Sequence, residues 1–148
     1  MIQRMIGAAA LAAAAALVSF AAQAQTVKVA YIDPLSGPFA QTGEQGLAEF
    51  RFAVEQINKS GKLGKVKLEV VPFDNKVSPQ ESLNQLKRVI DQGIRYITQG
   101  NSSAVAGALL AAVNRHNERN PGKEILYLNY AAVDPTLTDF AESRWVRL

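Results

Sequence analysis

From residue 26 onward the chain alternates strand and helix patterns, and this order constrains the fold more than any motif does. TVKVAYID (26–33) puts Val27, Val29 and Tyr31 on one face and stops at Asp33-Pro34, a strand ending in a turn. A loop with two prolines and two glycines follows. Thr42 and Gln45 then have capping-box spacing, ahead of Leu47, Phe50, Val54 and Ile57 at helical intervals. Gly61 stands where a left-handed helix end favours glycine. KVKLEVVPF alternates Val66, Leu68 and Val70 with charged residues, predicting a strand with one wet face near a sheet edge.

Ser78-Pro79-Gln80-Glu81 is a second capping box. It precedes a stripe of Leu83, Leu86, Val89 and Ile90 that ends at Gly93. IRYIT predicts a third strand, and Val105, Leu109 and Val113 a third buried helix face. EILYLN predicts a fourth strand, Leu137 and Phe140 a short helix behind Asp134-Pro135, and RWVRL a fifth strand. Such β-α-β order with short connections implies a three-layer α/β/α fold around a parallel sheet. The expected strand order is 2-1-3-4-5. The fifth strand has no covering helix behind it, so residues 25–148 read as the first lobe of a longer, truncated chain.

Residues 1–24 read as a signal peptide. They carry Arg4, an apolar run from Ile6 to Ala22, and the small-x-small triplet Ala22-Gln23-Ala24. That run is mostly alanine and at or below the roughly 17–25 residues of a membrane span, which disfavours a retained anchor. The predicted mature chain starts at Gln25 and is exported to the periplasm. It contains no cysteine, so its core holds by packing alone.

Several functional classes are disfavoured. With 16 basic and 13 acidic residues the formal charge is +3. The densest basic group, Lys59, Lys62, Lys65 and Lys67, is interspersed with Glu55 and Glu69, so no nucleic-acid track is expected. One histidine and no cysteine exclude the usual zinc sets. GPFAQTGEQG lacks both the P-loop lysine-hydroxyl pair and G-x-G-x-x-G spacing. His116 sits among Asn114, Arg115, Asn117 and Glu118 near a helix end and reads as solvent-facing. Asp74 and Asn75 read as a turn.

Open parallel sheets bind ligands beyond the carboxyl ends of their strands, where strand order reverses. In a 2-1-3-4-5 sheet that crevice lies between strands one and three, flanked by PLSGPFAQTG, QGNSSA and NYAAVDP. Ser102 and Ser103 have two readings: a helix cap beside a wetted neighbour, or hydroxyls that donate to an anion at a helix N-terminus. Their place at the crevice favours the second.

Three segments together, VKVAYIDPLSGPFAQTGEQGLAEFRFAVEQIN, FDNKVSPQESLNQLKRVIDQGIRYITQGNSSAV and NYAAVDPTLTD, resemble the opening lobe of type I periplasmic binding proteins. The closest type is the branched-chain amino acid receptor of ABC transporters. The resemblance covers essentially all of the mature chain and implies a two-lobed, hinge-closing, non-catalytic receptor. By position, Ser102 and Ser103, with Asn101 in the same loop, fall on the serines that grip a ligand carboxylate. Ala131 and Ala132 fall on backbone contacts of the second loop, and Thr42 falls where the side-chain pocket wall begins.

Two departures weaken an α-amino acid as ligand: Val133 stands where such receptors usually carry threonine, and Thr42 replaces a bulky aromatic. The family's early disulfide is also absent. Related receptors bind aromatic acids, short amides or urea. The expected partners are a small carboxylate- or amide-bearing ligand and an inner-membrane ABC permease, with no cofactor, metal or nucleic acid, and the protein is expected to be monomeric. Two alternatives are a ligand-sensing domain acting in regulation and an exported serine hydrolase using Ser103 as nucleophile.

Overall fold

The computed structural model describes residues 25–138 and 146–147. The predicted signal peptide and Phe140 lie outside the described residues. Five parallel strands form one sheet of order β2-β1-β3-β4-β5, as the alternating sequence pattern requires. The strands are β1 (Thr26–Asp33), β2 (Lys67–Asp74), β3 (Tyr96–Gln99), β4 (Leu126–Asn129) and β5 (Val146–Arg147). Between them run α1 (Ala40–Ser60), α2 (Pro79–Asp91) and α3 (Ser103–Arg119), with 3-10 turns at Gly37–Phe39 and Pro135–Thr138.

Register decides which side chains meet. Ala30, Ile97 and Tyr127 lie side by side on one face, while Tyr31, Thr98 and Leu128 lie on the other. The first face, with Ile32 and Phe73, packs against Leu86 and Val89 of α2 and Val105, Leu109 and Val113 of α3, forming the core. The second face meets α1, whose Phe50 ring lies 5.5 Å from Tyr31 and 5.1 Å from Tyr130. Helices therefore cover both faces, as the three-layer expectation holds.

The α1 stripe is drier in sequence than in space. Leu47 is buried and Phe50 and Val54 are half-buried, but Ile57 is 40% exposed. The reason is lateral: α1 packs chiefly over β2 and reaches β1 through Tyr31, leaving Tyr96 and Leu128 on the same face partly open.

Helix ends follow the sequence with one exception. Ser78 caps α2 by accepting from the Glu81 N–H at 3.2 Å, although the Glu81 carboxylate turns to Gln85 and Asn84 and leaves the box one-sided. Gly61 and Gly93 adopt φ of 69° and 70° at the ends of α1 and α2, a conformation glycine enters without steric cost. The expected Thr42–Gln45 capping box is absent. A 3-10 turn over Gly37–Phe39 starts the helix early at Ala40, so Thr42 lies inside α1, exposed, and Gln45 donates to Glu49.

Candidate functional site

The crevice between β1 and β3 is bridged by Asp33, the last residue of β1. Its carboxylate accepts from Gly100 N at 3.2 Å and Asn101 N at 3.0 Å, and from the Tyr130 hydroxyl at 2.7 Å. Asp33 is fully buried. Burial pushes its carboxyl above the usual carboxylate range, against the opposing pull of Tyr130, Asn101 and Gly100. Tyr31 lies 3.0 Å from the Tyr130 hydroxyl and donates to the Gly43 carbonyl at 2.9 Å. Desolvation pushes the Tyr31 phenol up to about 12, and burial also raises that of Tyr130, so both are neutral donors at physiological pH.

These contacts explain two glycines. A Cβ at Gly100 would sit 2.7 Å from the Tyr130 ring, and one at Gly43 would sit 1.7 Å from the Pro34 carbonyl oxygen. The backbone must approach that closely for the loops to meet.

Ser102 and Ser103 follow directly. Ser102 is the N-cap of α3 and accepts from Val105 N at 3.4 Å, with φ at +117°. A non-glycine residue in so sparse a region costs on the order of 1–3 kcal/mol, which the surrounding bonds must offset. Ser103 begins the helix, and its hydroxyl oxygen accepts from Asp134 N at 3.3 Å, tying the serine loop to the loop after β4. Cap and ligand contact are not exclusive, because a hydroxyl that accepts still has a proton to donate. The N–H groups of Ser103 and Ala104 have no partner in the preceding turn, by the geometry of any helix start. Asn101 is spoken for: its N–H goes to Asp33 and its side-chain amide donates to Tyr130 at 3.3 Å.

The β4 loop is frozen by a residue absent from the sequence-based site. Asn129, 3% exposed, accepts from Ala131 N at 3.3 Å and Ala132 N at 2.9 Å and donates to the Ala132 carbonyl at 2.8 Å. Of the two alanines assigned backbone contacts of the second loop, both N–H groups are thus engaged by the protein itself. Among the described residues, no hydrogen bond takes the Ala131 carbonyl or the Val133 N–H. Val133 is 87% exposed.

Beside this loop an open cleft of about 540 Å³ is lined by Phe50, Thr98, Leu128, Tyr130 and Val133 among others. Thr42 does not join it and makes no hydrogen bond to either loop among the described residues. A second cleft, about 600 Å³, lies on the outer side of α1 against Leu35, Phe52 and Pro72, away from the serines.

Two further expectations change. His116 is half-buried: its Nε2 lies 3.1 Å from the Lys123 carbonyl, closing the turn after α3. Asp74 does more than turn the chain. It accepts from Leu35 N at 2.9 Å and Ser36 Oγ at 2.5 Å, fastening the β1–α1 loop to the end of β2. Although burial works the other way, the bonds from Ser36, Leu35 and Lys76 hold its carboxyl below the usual range. Asn75 is fully buried and donates to the Ile32 carbonyl at 3.0 Å. Asp33, Tyr130 and Asn129 escaped sequence reasoning. The one available signal was a carboxylate directly after the apolar run Val29–Ile32 at the end of β1.

A parallel sheet of this order, with polar loops converging beyond β1, β3 and β4, defines an α/β ligand-binding lobe. The chain belongs to the periplasmic binding protein family, whose model matches residues 26–146. It is 38% identical over 117 residues to Leu/Ile/Val-binding protein homolog 4 of Brucella abortus, covering 79% of this chain and 28% of that protein. A crystal structure of a leucine-, isoleucine-, valine-, threonine- and alanine-binding protein from Brucella ovis, in its closed conformation, superposes with a TM-score of 0.68. Its identity is 38%, over 74% of this chain and 28% of that one. The branched-chain amino acid transporter substrate-binding protein of Streptococcus pneumoniae, solved with isoleucine, shares the fold at 20% identity. Its TM-score is 0.69, over 82% of this chain and 33% of that one. The chain thus spans about 28% of the length of the Brucella relatives.

Proposed function

We propose that residues 25–148 form the N-terminal lobe of a periplasmic solute receptor. In this reading the receptor is exported by a cleaved signal peptide (1–24), works as a monomer, and delivers its ligand to an inner-membrane ABC permease. The ligand carries a carboxylate, with a branched-chain amino acid as the first candidate because the relatives are named for leucine, isoleucine and valine. One observation carries the reading: Asp134 N on Ser103 Oγ joins the serine loop and the β4 loop into one concave rim at the start of α3.

A carboxylate seated there would receive the Ser102 and Ser103 hydroxyl protons and the first α3 N–H groups, at the positive end of the helix dipole. The Ala131 carbonyl is the acceptor left for an ammonium or amide N–H. Asn101 and Ala132 serve by shape, Val133 offers an apolar wall, and Thr42 contributes at most from the rim. Serine hydrolysis is disfavoured: His116 lies 13 residues along α3 from Ser103, about 20 Å at helical rise, and faces the opposite turn.

The test is calorimetric titration of the full chain with L-leucine, L-isoleucine, L-valine, 4-hydroxybenzoate and acetamide. Ser103→Ala should weaken binding of the best ligand by about 1–3 kcal/mol, the cost of an orphaned charged contact. Unchanged affinity in that variant sinks the serine contact. Tightest binding of acetamide would move the reading to an amide receptor.

A further inference from the structure

Asp33 is the only fully buried carboxylate among the described residues, and none of their Lys or Arg side chains forms an ion pair with it. We propose that Asp33 is the positioning residue of the binding crevice, setting the shape of the serine loop from beneath and coupling it to the β4 loop through Tyr130. The proposal rests on the reading that the serine loop grips the ligand.

The argument starts from what a buried anion needs. A carboxylate removed from water must be met by donors or counter-charges, and here every direct partner is a donor. Two are successive backbone N–H groups, Gly100 and Asn101, converging on its two oxygens at 3.2 and 3.0 Å. Successive N–H groups aimed at one point form a concavity for anions, and in this loop the protein's own side chain fills it. A ligand carboxylate is therefore directed to the outer donors, the serine hydroxyls and the first turn of α3.

The same bonds fix the residues just before Ser102, whose φ of +117° needs the chain held on both sides. On the far side, Ser102 is held by its cap to Val105 and by Ala106 N on its carbonyl at 3.0 Å. Through the Tyr130 hydroxyl, Asp33 also reaches the segment that carries Ala131 and Ala132. Tyr31 links that hydroxyl to Gly43 in α1. One carboxylate thus ties together three of the segments around the crevice.

A competing holder exists. With its amide turned so that oxygen faces the loop, buried Gln99 accepts from Gly100 N at 3.3 Å and Asn101 N at 3.1 Å. Gln99 is neutral and belongs to the strand leading into the loop, so by itself it cannot link the loop to β1.

The experiment uses the full chain and needs no ligand for its first arm. Amide hydrogen exchange is compared between wild type and Asp33→Asn, which keeps volume but turns an N–H₂ toward donors. Exchange at Gly100 and Asn101 should quicken by about tenfold or more, the scale of a lost hydrogen bond to a charged group, while Ile97 and Tyr127 stay protected. In the second arm, L-leucine affinity should fall by a similar factor. Unchanged exchange means that Gln99 suffices, and the proposal is overturned. A loosened loop with unchanged leucine affinity overturns the role in binding.

Tyr130→Phe keeps the ring and removes one donor to Asp33. It should give a smaller effect in the same direction, and it decides the matter if Asp33→Asn does not fold. Ser103→Ala separates the two readings. If it leaves leucine binding intact while Asp33→Asn weakens it, the serine contact fails and the positioning role stands.

Discussion

Replacing Asn129 by alanine tests how the β4 loop is held. The side chain makes three hydrogen bonds within its own turn, to Ala131 N, Ala132 N and the Ala132 carbonyl. Ala131 is exposed, so its N–H regains a partner from water, whereas Ala132 is 9% exposed and both of its backbone groups are stranded. Two buried orphans at about 1–3 kcal/mol each, with partial rescue by water, give a loss of about 2–4 kcal/mol. With a urea slope of about 2 kcal/mol/M, the unfolding midpoint should drop by about 1–2 M at unchanged slope. Asn129→Asp keeps the acceptor but turns an oxygen toward the Ala132 carbonyl, so it should not rescue. A midpoint shift below about 0.3 M for Asn129→Ala, or full stability in Asn129→Asp, would refute the claim that this side chain holds the loop.

Two glycines should answer oppositely to alanine. Gly107 lies inside α3 with nothing within 4 Å of an added Cβ, so Gly107→Ala should stabilise by about 0.5–1 kcal/mol; Gly43→Ala would meet the Pro34 carbonyl at 1.7 Å and should sharply lower the melting temperature. Equal effects in a thermal melt would discredit the packing assigned to the start of α1. The pH dependence follows from Asp33. Its folded-state carboxyl holds its proton more tightly than the unfolded chain does, so its contribution is greatest below the ordinary value of 3.8 and is lost as pH rises through its raised value. Asp74, shifted down, acts in the other direction, its stabilisation being lost as pH falls below that ordinary value. The stability of wild type minus that of Asp33→Asn should therefore decline as pH rises from 4. Urea midpoints across that range check the sign, and a rising difference would reverse the assignment.

What was legible in the sequence was local. A strand pattern, a glycine that must turn left-handed at Gly61 or Gly93, and a serine three residues before a capped N–H at Ser78 or Ser102 all act through neighbours a few positions away. Their consequences can be read without knowing the fold, and the order of elements then restricts the sheet to a small set of topologies. The place of the serine loop beside the reversal of strand order, between β1 and β3, also followed from that topology.

The asparagines were not legible. Asn58 clamps the Leu68 backbone, Asn75 the Ile32 carbonyl, Asn117 the Ile125 backbone in the connection ahead of β4 and Asn129 its own turn; two of these four partners, Leu68 and Ile32, lie in a strand of the sheet. Nothing in composition separates such a residue from an asparagine in a wet loop. Thr42 misled for a related reason: capping spacing was present, but the preceding 3-10 turn had already begun the helix.

By itself, then, the sequence determined the alternation of elements, most of their ends and the sheet edge where strand order reverses, because periodicity and caps are short-range physics. Tertiary structure alone decided that Asp33 is buried beneath the serine loop, held by Tyr130 from 97 residues away and by Asn101 from 68. A carboxylate's role depends on which donors surround it, and those donors arrive only when β1, β3 and β4 lie side by side.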